Sequence, residues 1–388
     1  MSADNQTKPT GKTGVGDVVF LTGATGFLGS EIMKRVLEAH PHARLALLVR
    51  STPRETARER VDKLLARTFS LGDAGRHAER VEVVEGDISL RGAGMDSERS
   101  ARLADRVDHV IHCAATVRFD LPLEVARRDN TEGTRNILNF AERMPKLGRF
   151  DYIGTSYVAG QRRGVIREDE LDVGQKFFNS YEQTKMEAET LVRAFGQRHP
   201  TAVYRPSIVV GDSRTGETTT FQGFYQALQF YRRIFSGKVI QLPLPADPNT
   251  PIDIVPVDYV VDALFGLIAN DKSVGGCFHL ASGPGATCTA DELLHILAEF
   301  SGVPQPVYIS KTMYERVVRP IVGRALFFDK RVNVAKRAEV YMPYAWSNLV
   351  FDKTRTDALL AGTGIAVPHA RTYFRKLLEF QAKAVKAG

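Results

Sequence analysis

The sequence predicts an α/β protein built on a doubly wound parallel sheet, with a smaller portion contributed by the C-terminal half. Three observations lead to this class. Short unbroken apolar runs alternate with amphipathic stretches from residue 18 onward, and strands buried on both faces by intervening helices read in this way. The first apolar run passes directly into a glycine-spaced turn and then a helical stretch. The alternation stops near Gly211, after which Thr, Gln, Phe, Tyr and Pro dominate residues 212–250.

Taken in order, Val18–Thr22 (VVFLT), Leu45–Val49, Val81–Glu85, Val107–His112, Phe150–Ile153 and Ala202–Tyr204 are expected as strands. Ser30–Ala39, Arg54–Thr68, Asn130–Arg143 and Tyr181–Phe195 are expected as the helices between them, because their apolar residues recur at helical spacing. Residues 1–16 are polar and rich in Gly, Thr and Lys, without the apolar core of a signal sequence, and are expected to form a disordered lead-in. Residues 17–210 then form the sheet domain, completed by a return at about 252–268. Residues 211–251 and 269–388 supply the smaller C-terminal subdomain.

Composition narrows the function classes. With 43% apolar and 25% charged residues, bulk disorder is excluded. Lys and Arg outnumber Asp and Glu by 52 to 45, giving a formal charge of +7. This surplus suits nucleic acid, a membrane surface or an anionic cofactor or carrier, without choosing among them. No basic block or nucleic-acid reader motif accompanies it, so a nucleic-acid role is not expected. Cys113, Cys277 and Cys288 are widely spaced and form no Cys-x-x-Cys pair, which argues against a disulfide framework or a zinc site and suits a reducing compartment. No apolar run reaches the roughly 18 residues of a membrane-spanning helix, and the expectation is a soluble cytoplasmic protein without a metal.

The chemistry lies in the motifs. Thr22-Gly23-Ala24-Thr25-Gly26-Phe27-Leu28-Gly29 joins the first strand to the first helix. Glycines at 23, 26 and 29 allow a tight turn, close approach of backbone amides to a pyrophosphate, and close packing of helix on strand. This is a Rossmann-type dinucleotide signature because of its strand–turn–helix setting. A carboxylate at the end of the second strand would serve the ribose hydroxyl of NAD. Here the position reads Val49-Arg50-Ser51. A guanidinium there grips a 2′-phosphate instead, which favours NADP(H), and Arg60 on the following helix can assist. The third strand ends in Gly86-Asp87-Ile88, where Asp87 either accepts from an adenine amino group or caps its loop. The fourth ends in Cys113-Ala114-Ala115, small enough for a cofactor to lie against the backbone. His112 reads as a satisfied strand-end histidine and Cys113 as a packed residue.

Tyr181 and Lys185 stand four apart at a helix start and share one face. An ammonium beside the phenol is expected to lower its pKa and to reach ribose hydroxyls. Tyr181, with Thr155 as a second donor, can then stabilise an oxygen gaining charge. Isolated, such a pair is only a helix-surface pair. Following the glycine turn, the Asp87 strand end and Thr155 in this order, it carries weight.

Together these residues resemble the extended short-chain dehydrogenase/reductases, over nearly the whole chain from Val18. Thr22–Gly29 is similar to the TGxxGxxG fingerprint, and Asn130-Thr131-Glu132-Gly133-Thr134 to the Asn-x-x-Gly-Thr helix. Tyr204-Arg205-Pro206-Ser207-Ile208 resembles the segment bordering the nicotinamide, and Val255–Val260 the later Val-Pro-Val-Asp segment. TGATGFLGSEIMKRVL, HCAATVRFD, DNTEGTRNIL and FDKTRTDALLAGTGI (351–365) are most similar to the male-sterility type, which includes fatty acyl-CoA reductases and thioester reductase domains. The resemblance implies that Arg50 and Arg60 meet the NADPH phosphate and that Thr155, Tyr181 and Lys185 form the catalytic set. The family usually carries Ser-Thr where this chain has Gly154-Thr155, so Ser156 stays open as the second donor.

The function expected on that basis is NADPH-dependent reduction of an acyl thioester to an aldehyde, and further to an alcohol if the aldehyde is held. The carrier, CoA or an acyl carrier protein, is expected to act in trans. A ketone, aldehyde or nucleotide-sugar oxidoreductase of the same fold is the alternative, and an NADPH-sensing binding protein is the alternative of another class. Intact Tyr181 and Lys185 speak against a sensor. Phe221, Phe224, Tyr225, Phe230 and Tyr231 either line an acyl channel or pack as core. Lys311, Arg316, Arg319, Arg324, Lys330, Arg331, Lys336 and Arg337 concentrate the positive charge in one stretch. That surface is expected to face the phosphates of CoA or an acidic carrier, with peripheral contact to an anionic membrane as the second choice.

Overall fold

The computed structural model describes residues 11, 13–221, 223–235, 244–318, 320 and 341–387. Each expected strand is present: β1 (Val18–Thr22), β2 (Arg44–Val49), β3 (Val81–Glu85), β4 (His109–His112), β5 (Arg149–Ile153) and β6 (Thr201–Pro206). The expected helices are present as α1 (Phe27–Ala39), α2 (Ala57–Thr68), α5 (Gly133–Ala141) and α6 (Ser180–Phe195). Two short helices, α3 (Leu71–Ala78) and α4 (Ser97–Ala104), lie in stretches the pattern left as connections. Helix α5 starts later than expected because residues 127–132 form a π turn ahead of it.

Two further parallel strands complete the picture, β7 (Ile208–Val210) paired with β8 (Ile254–Pro256), and helix α8 (Val257–Ile268) follows β8 directly. The main sheet has seven parallel strands in the order β9-β6-β5-β4-β1-β2-β3, where β9 is Cys277–Leu280. This corrects two expectations. Residues 252–268 do not complete the main sheet, and residues 277–280, expected in the C-terminal subdomain, do so by pairing along β6 from Val203 to Pro206. The apolar character of 252–268 has another cause. Helix α8 buries Val260, Val261, Leu264 and Leu267 with Ile32, Val36, Val61 and Leu64 on one face of the sheet. The opposite face is covered by Leu103, Ile137, Phe140, Ala188 and Val192, from α4, α5 and α6. Burying each such large side chain is worth about 1.5–3 kcal/mol, so both faces contribute to a sheet that could not remain exposed on either side.

The end of the expected lead-in is tied to the fold. Gly14 N–H donates to Ile268 O (3.0 Å), and the backbone amides of Asp17 and Val18 donate to the Asp108 carboxylate (3.2 and 3.0 Å). Residues 1–10 and 12 lie outside the described residues. The C-terminal subdomain has its own core. Helices α7 (Phe224–Phe235), α9 (Ala290–Ser301) and α10 (Ala370–Ala387) pack Tyr225, Leu228, Leu293, Leu297, Phe374 and Leu377 against Val210 and Ile254. A parallel pair, Gly164–Ile166 with Leu349–Phe351, ties that portion back to the sheet domain. Among the described residues no helix is long and apolar enough to cross a membrane.

Candidate active site

The chain leaves the sheet in opposite directions after β1 and β4, which are neighbours. A crevice at the carboxyl ends of the strands follows from that reversal. It opens into a cleft of about 1920 Å³ that runs from the glycine turn to the C-terminal subdomain. A single compact ligand fills about 300–1,000 Å³, so there is space for a dinucleotide and a second ligand together.

At the dinucleotide end the glycines are set by contact distances. Gly23 has φ +79°, and a Cβ there would fall 2.7 Å from Ala114 N. At Gly29 a Cβ would fall 2.1 Å from Gly23 O. Gly26 differs, since a Cβ there would meet only Gly23 O, at 3.2 Å, and the residue borders the cleft. Its bare backbone is the cradle a pyrophosphate needs. Helix α1 begins at Phe27 with no side-chain cap and no acidic residue in its first turn, so its leading amides are left for an anion. These residues fit a dinucleotide. Thr25, Phe27 and Leu28 also border the cleft, whereas Thr22, expected among the ligand contacts, is buried behind it. Thr22 Oγ1 accepts from Ala114 N (3.1 Å) and pairs with His112 Nδ1 (2.7 Å). His112 also meets Thr134 Oγ1 (3.1 Å), and burial pushes its pKa down to about 3. It holds strand ends together as a neutral ring.

Arg50 and Arg60 border the same end, and Arg67, which no motif in the sequence singles out, joins them. Arg60 donates to Arg50 O (2.5 Å) and to Thr25 Oγ1 (3.2 Å), which sets its guanidinium between the glycine turn and the end of β2. Asp87 caps its loop by accepting from Ser89 N and Ser89 Oγ (2.9 and 2.8 Å), and its other oxygen lies 3.7 Å from Arg50. Ile88, Cys113, Ala114 and Ala115 form the adjoining wall. Burial raises the Cys113 thiol to about 11, so it is not a nucleophile at neutral pH.

Thr155, Tyr181 and Lys185 all border the cleft, as do Pro206, Ser207 and Ile208. Helix α6 begins at Ser180 because Asn179 caps it, accepting from Glu182 N (3.0 Å), and Tyr181 therefore lies in the first turn. The Thr155 hydroxyl accepts from Tyr157 N (3.2 Å), and Thr155 acts on the Tyr181 phenol to hold its pKa down against burial. Lys185 is buried. Its Nζ donates to Ile153 O (2.9 Å) and lies 4.4 Å from the centre of the Tyr152 ring, and burial lowers it to about 8. The phenol corrects an expectation: burial raises Tyr181 to about 12, and Lys185 is not among the groups that act on it, its Nζ being directed to Ile153 O. Tyr181 therefore keeps its proton and is a donor. Ser156 is ruled out as the second donor, since it is fully buried and its hydroxyl donates to Arg205 O (2.7 Å). Asn130 braces the site from below, accepting from Thr116 N (2.8 Å) and donating to Thr184 Oγ1 on α6 (3.0 Å).

Beyond the trio the cleft turns apolar, with Phe224, Leu228, Leu244, Ile252, Leu293 and Leu294 along it. Phe224 borders the cleft, whereas Tyr225 is core, its hydroxyl accepting from Gly211 N (2.9 Å). Phe221 packs on Phe380 and Tyr225. The side chains of Phe230 and Tyr231 lie outside the described residues, as do Arg319, Arg324, Lys330, Arg331, Lys336 and Arg337 of the basic stretch. Phe119, Tyr157, Tyr341 and Tyr344 form an aromatic wall that sequence reasoning missed. Phe119 stacks on Tyr181 with ring centres 5.4 Å apart. Nothing in the spacing of HCAATVRFD and the 341–346 segment signals that the two come together.

Comparison with known proteins identifies the family of the chain. The chain is 30% identical over 280 residues to fatty acyl-CoA reductase 1 of Xenopus laevis, covering 64% of this chain and 53% of that protein. It is 30% identical over 271 residues to the non-canonical nonribosomal peptide synthetase FrzA of Cladobotryum sp, covering 68% of this chain and 26% of that protein. The chain thus spans about half or less of the length of these curated relatives. Among solved structures, the terminal R domain from the myxalamid PKS-NRPS biosynthetic pathway superposes with a TM-score of 0.79 at 27% identity, covering 96% of this chain and 92% of that one. The family model described as male sterility protein matches residues 21–264. With well over half its length under that model and its fold shared with the R domain, the chain belongs to the male sterility protein family.

Proposed function

We propose that the chain is an NADPH-dependent reductase of acyl thioesters carried on CoA or on an acyl carrier protein. One observation carries the reading: Thr155, Tyr181 and Lys185 border the same cleft as the glycine turn and the apolar residues Phe224, Leu228 and Leu293. Arg50 and Arg60 favour NADP(H), because two guanidinium groups and no carboxylate at the end of β2 suit a 2′-phosphate. When bound, NADPH supplies a hydride to the thioester carbonyl carbon.

The chain's own residues handle the oxygen and the proton. Tyr181 and Thr155 both present hydroxyl donors to the carbonyl oxygen, where negative charge develops, and the surrounding burial strengthens those bonds. Tyr181 protonates the oxyanion, giving a hemithioacetal. That species collapses to the aldehyde as its C–S bond breaks, its hydroxyl proton returning to Tyr181 while the carrier thiolate takes up a proton from solvent. Lys185, held by Ile153 O, keeps further N–H donors for the cleft it borders. Phe224, Leu228 and Leu293 offer the acyl chain a surface without polar demands.

The test is NADPH oxidation followed in parallel with a long-chain acyl-CoA, an acyl carrier thioester, a free aldehyde and a UDP-sugar. Turnover with a thioester and release of its thiol is the expected result. Turnover with the sugar alone overturns the reading.

A further inference from the structure

Glu182, the residue after Tyr181, is fully buried although it stands in the first turn of a helix, where an acidic residue is usually exposed. A buried carboxylate must be matched by hydrogen bonds, and here the partners join distant parts of the chain. One Glu182 oxygen accepts from Phe178 N (2.8 Å), and the other accepts from the Tyr344 hydroxyl, 162 residues away. That hydroxyl accepts in turn from Asn179 Nδ2 (2.8 Å), while Asn179 Oδ1 accepts from Glu182 N (3.0 Å). The bonds close a ring around the helix turn that carries Tyr181. Burial still raises the Glu182 carboxyl to about 7, with the Tyr344 bond opposing the rise.

The Tyr344 ring serves a second surface. It borders the cleft and lies 5.2 Å from Phe178, 5.7 Å from Tyr157 and 6.0 Å from Phe119, which itself stacks on Tyr181. The segment is held from the far side too, because Ala345 O accepts from Asp247 N and from Thr250 Oγ1 (both 2.9 Å). One phenol therefore touches the catalytic helix through its oxygen and the substrate wall through its ring.

We propose that Tyr344 and Glu182 are positioning residues, through which the wall that receives the acyl group fixes the phenol of Tyr181 against Thr155. The role rests on the thioester-reductase reading. An acyl group seated against Phe119 and Tyr344 bears on the ring whose hydroxyl anchors the first turn of α6. Proton donation is sensitive to misplacement on the order of 1 Å, so releasing the anchor lowers turnover even when both ligands still bind.

The test uses the full chain with Tyr344→Phe, which keeps the ring and deletes the hydroxyl. Expected results are a fall in kcat with an acyl thioester of about tenfold or more, as for the loss of a hydrogen bond to a charged group, with KM for NADPH unchanged. Amide hydrogen exchange in residues 180–185, read by mass spectrometry, is expected to quicken by about tenfold as well. Adding Glu182→Gln removes the stranded charge, so the double variant recovers Tm without recovering kcat. A Tyr344→Phe enzyme within twofold of the parent in kcat overturns the proposal. So does recovery of kcat together with Tm in the double variant, which would assign the pair to stability alone. A parent enzyme inactive on every thioester sinks the reductase reading instead, and the exchange of 180–185 in Tyr344→Phe then decides the positioning role by itself.

Discussion

The two ends of the cleft are made from different material. The dinucleotide end is largely backbone: Gly23, Gly26 and Gly29, the uncapped start of α1, and the small residues Cys113 to Ala115. The substrate end is made of side chains from separate segments, with Phe224 and Leu228 on one helix, Leu293 and Leu294 on another, and Tyr341 and Tyr344 beyond both. At Gly23 and Gly29 the backbone surface leaves no room for even one added carbon, whereas a side-chain surface can exchange one apolar group for another at modest cost. On the proposed reading, a single cofactor is served by a rigid template while the branch assigned to the acyl chain stays open to variation. Thr155, Tyr181 and Lys185 border the same cleft as both sets of residues, and the proposed reading sets them at the seam.

Substitutions that disturb this contrast should rank accordingly. The largest effect belongs to the seam. Tyr181→Phe is expected to lower kcat by ~10³-fold with NADPH affinity by fluorescence titration unchanged, and an equal loss of affinity would place Tyr181 in binding instead. Next comes the rigid end. Gly29→Ala, whose Cβ would fall 2.1 Å from Gly23 O, is expected to destabilise the fold by about 3 kcal/mol, seen as a lowered Tm. A parental Tm would show that the turn has slack.

Removal of both Arg50 and Arg60 as alanines should raise KM for NADPH by about 10–100-fold and leave KM for NADH near its starting value, as steady-state kinetics with each cofactor will show. At the adaptable end, Phe224→Ala should raise KM for a long-chain thioester by about tenfold, on the order of the 1–3 kcal/mol carried by a small change in an apolar pocket, and alter a short-chain one less. Equal effects on both chain lengths would contradict an acyl branch at Phe224.

The last effect is a slope. Glu182 is raised from 4.5 to about 7 in the folded chain. The folded state then holds a proton that the unfolded state releases, so this contribution to stability is fully present below about pH 4.5 and is lost as pH rises through 7. Glu182→Gln should flatten the dependence of Tm on pH across that window, relative to the parent. Parallel curves would mean the carboxyl titrates as it does in the unfolded chain.

Much of the cofactor end was legible in the sequence because its signals are local. A strand, three spaced glycines and a helix lie within Val18–Ala39, and the Arg50 signal lies one strand further on. The same local logic placed Tyr181 and Lys185 on one helix face. It misjudged the phenol, whose pKa is governed by burial rather than by the spacing of Lys185 along the helix. It also assigned 252–268 to the main sheet, because an apolar strand–helix pair looks the same whether it joins a seven-stranded sheet or packs beside one. The aromatic wall was illegible for a simpler reason: Phe119, Tyr157 and Tyr344 are ordinary residues until the fold brings Tyr344 within 6.0 Å of the other two.

The fold class, the glycine turn, the guanidinium groups beside it and the candidate trio of Thr155, Tyr181 and Lys185 were all read from the order of the amino acids, because each is encoded in residues close along the chain or in a motif of fixed order. Three outcomes required the folded chain: β9 closes the sheet, Ser156 is occupied by Arg205 O, and Glu182 is buried under Tyr344. They turn on burial and on partners as many as 162 residues distant. The pKa of a group, and with it the direction in which a proton moves, is set by such surroundings and not by the residue's name.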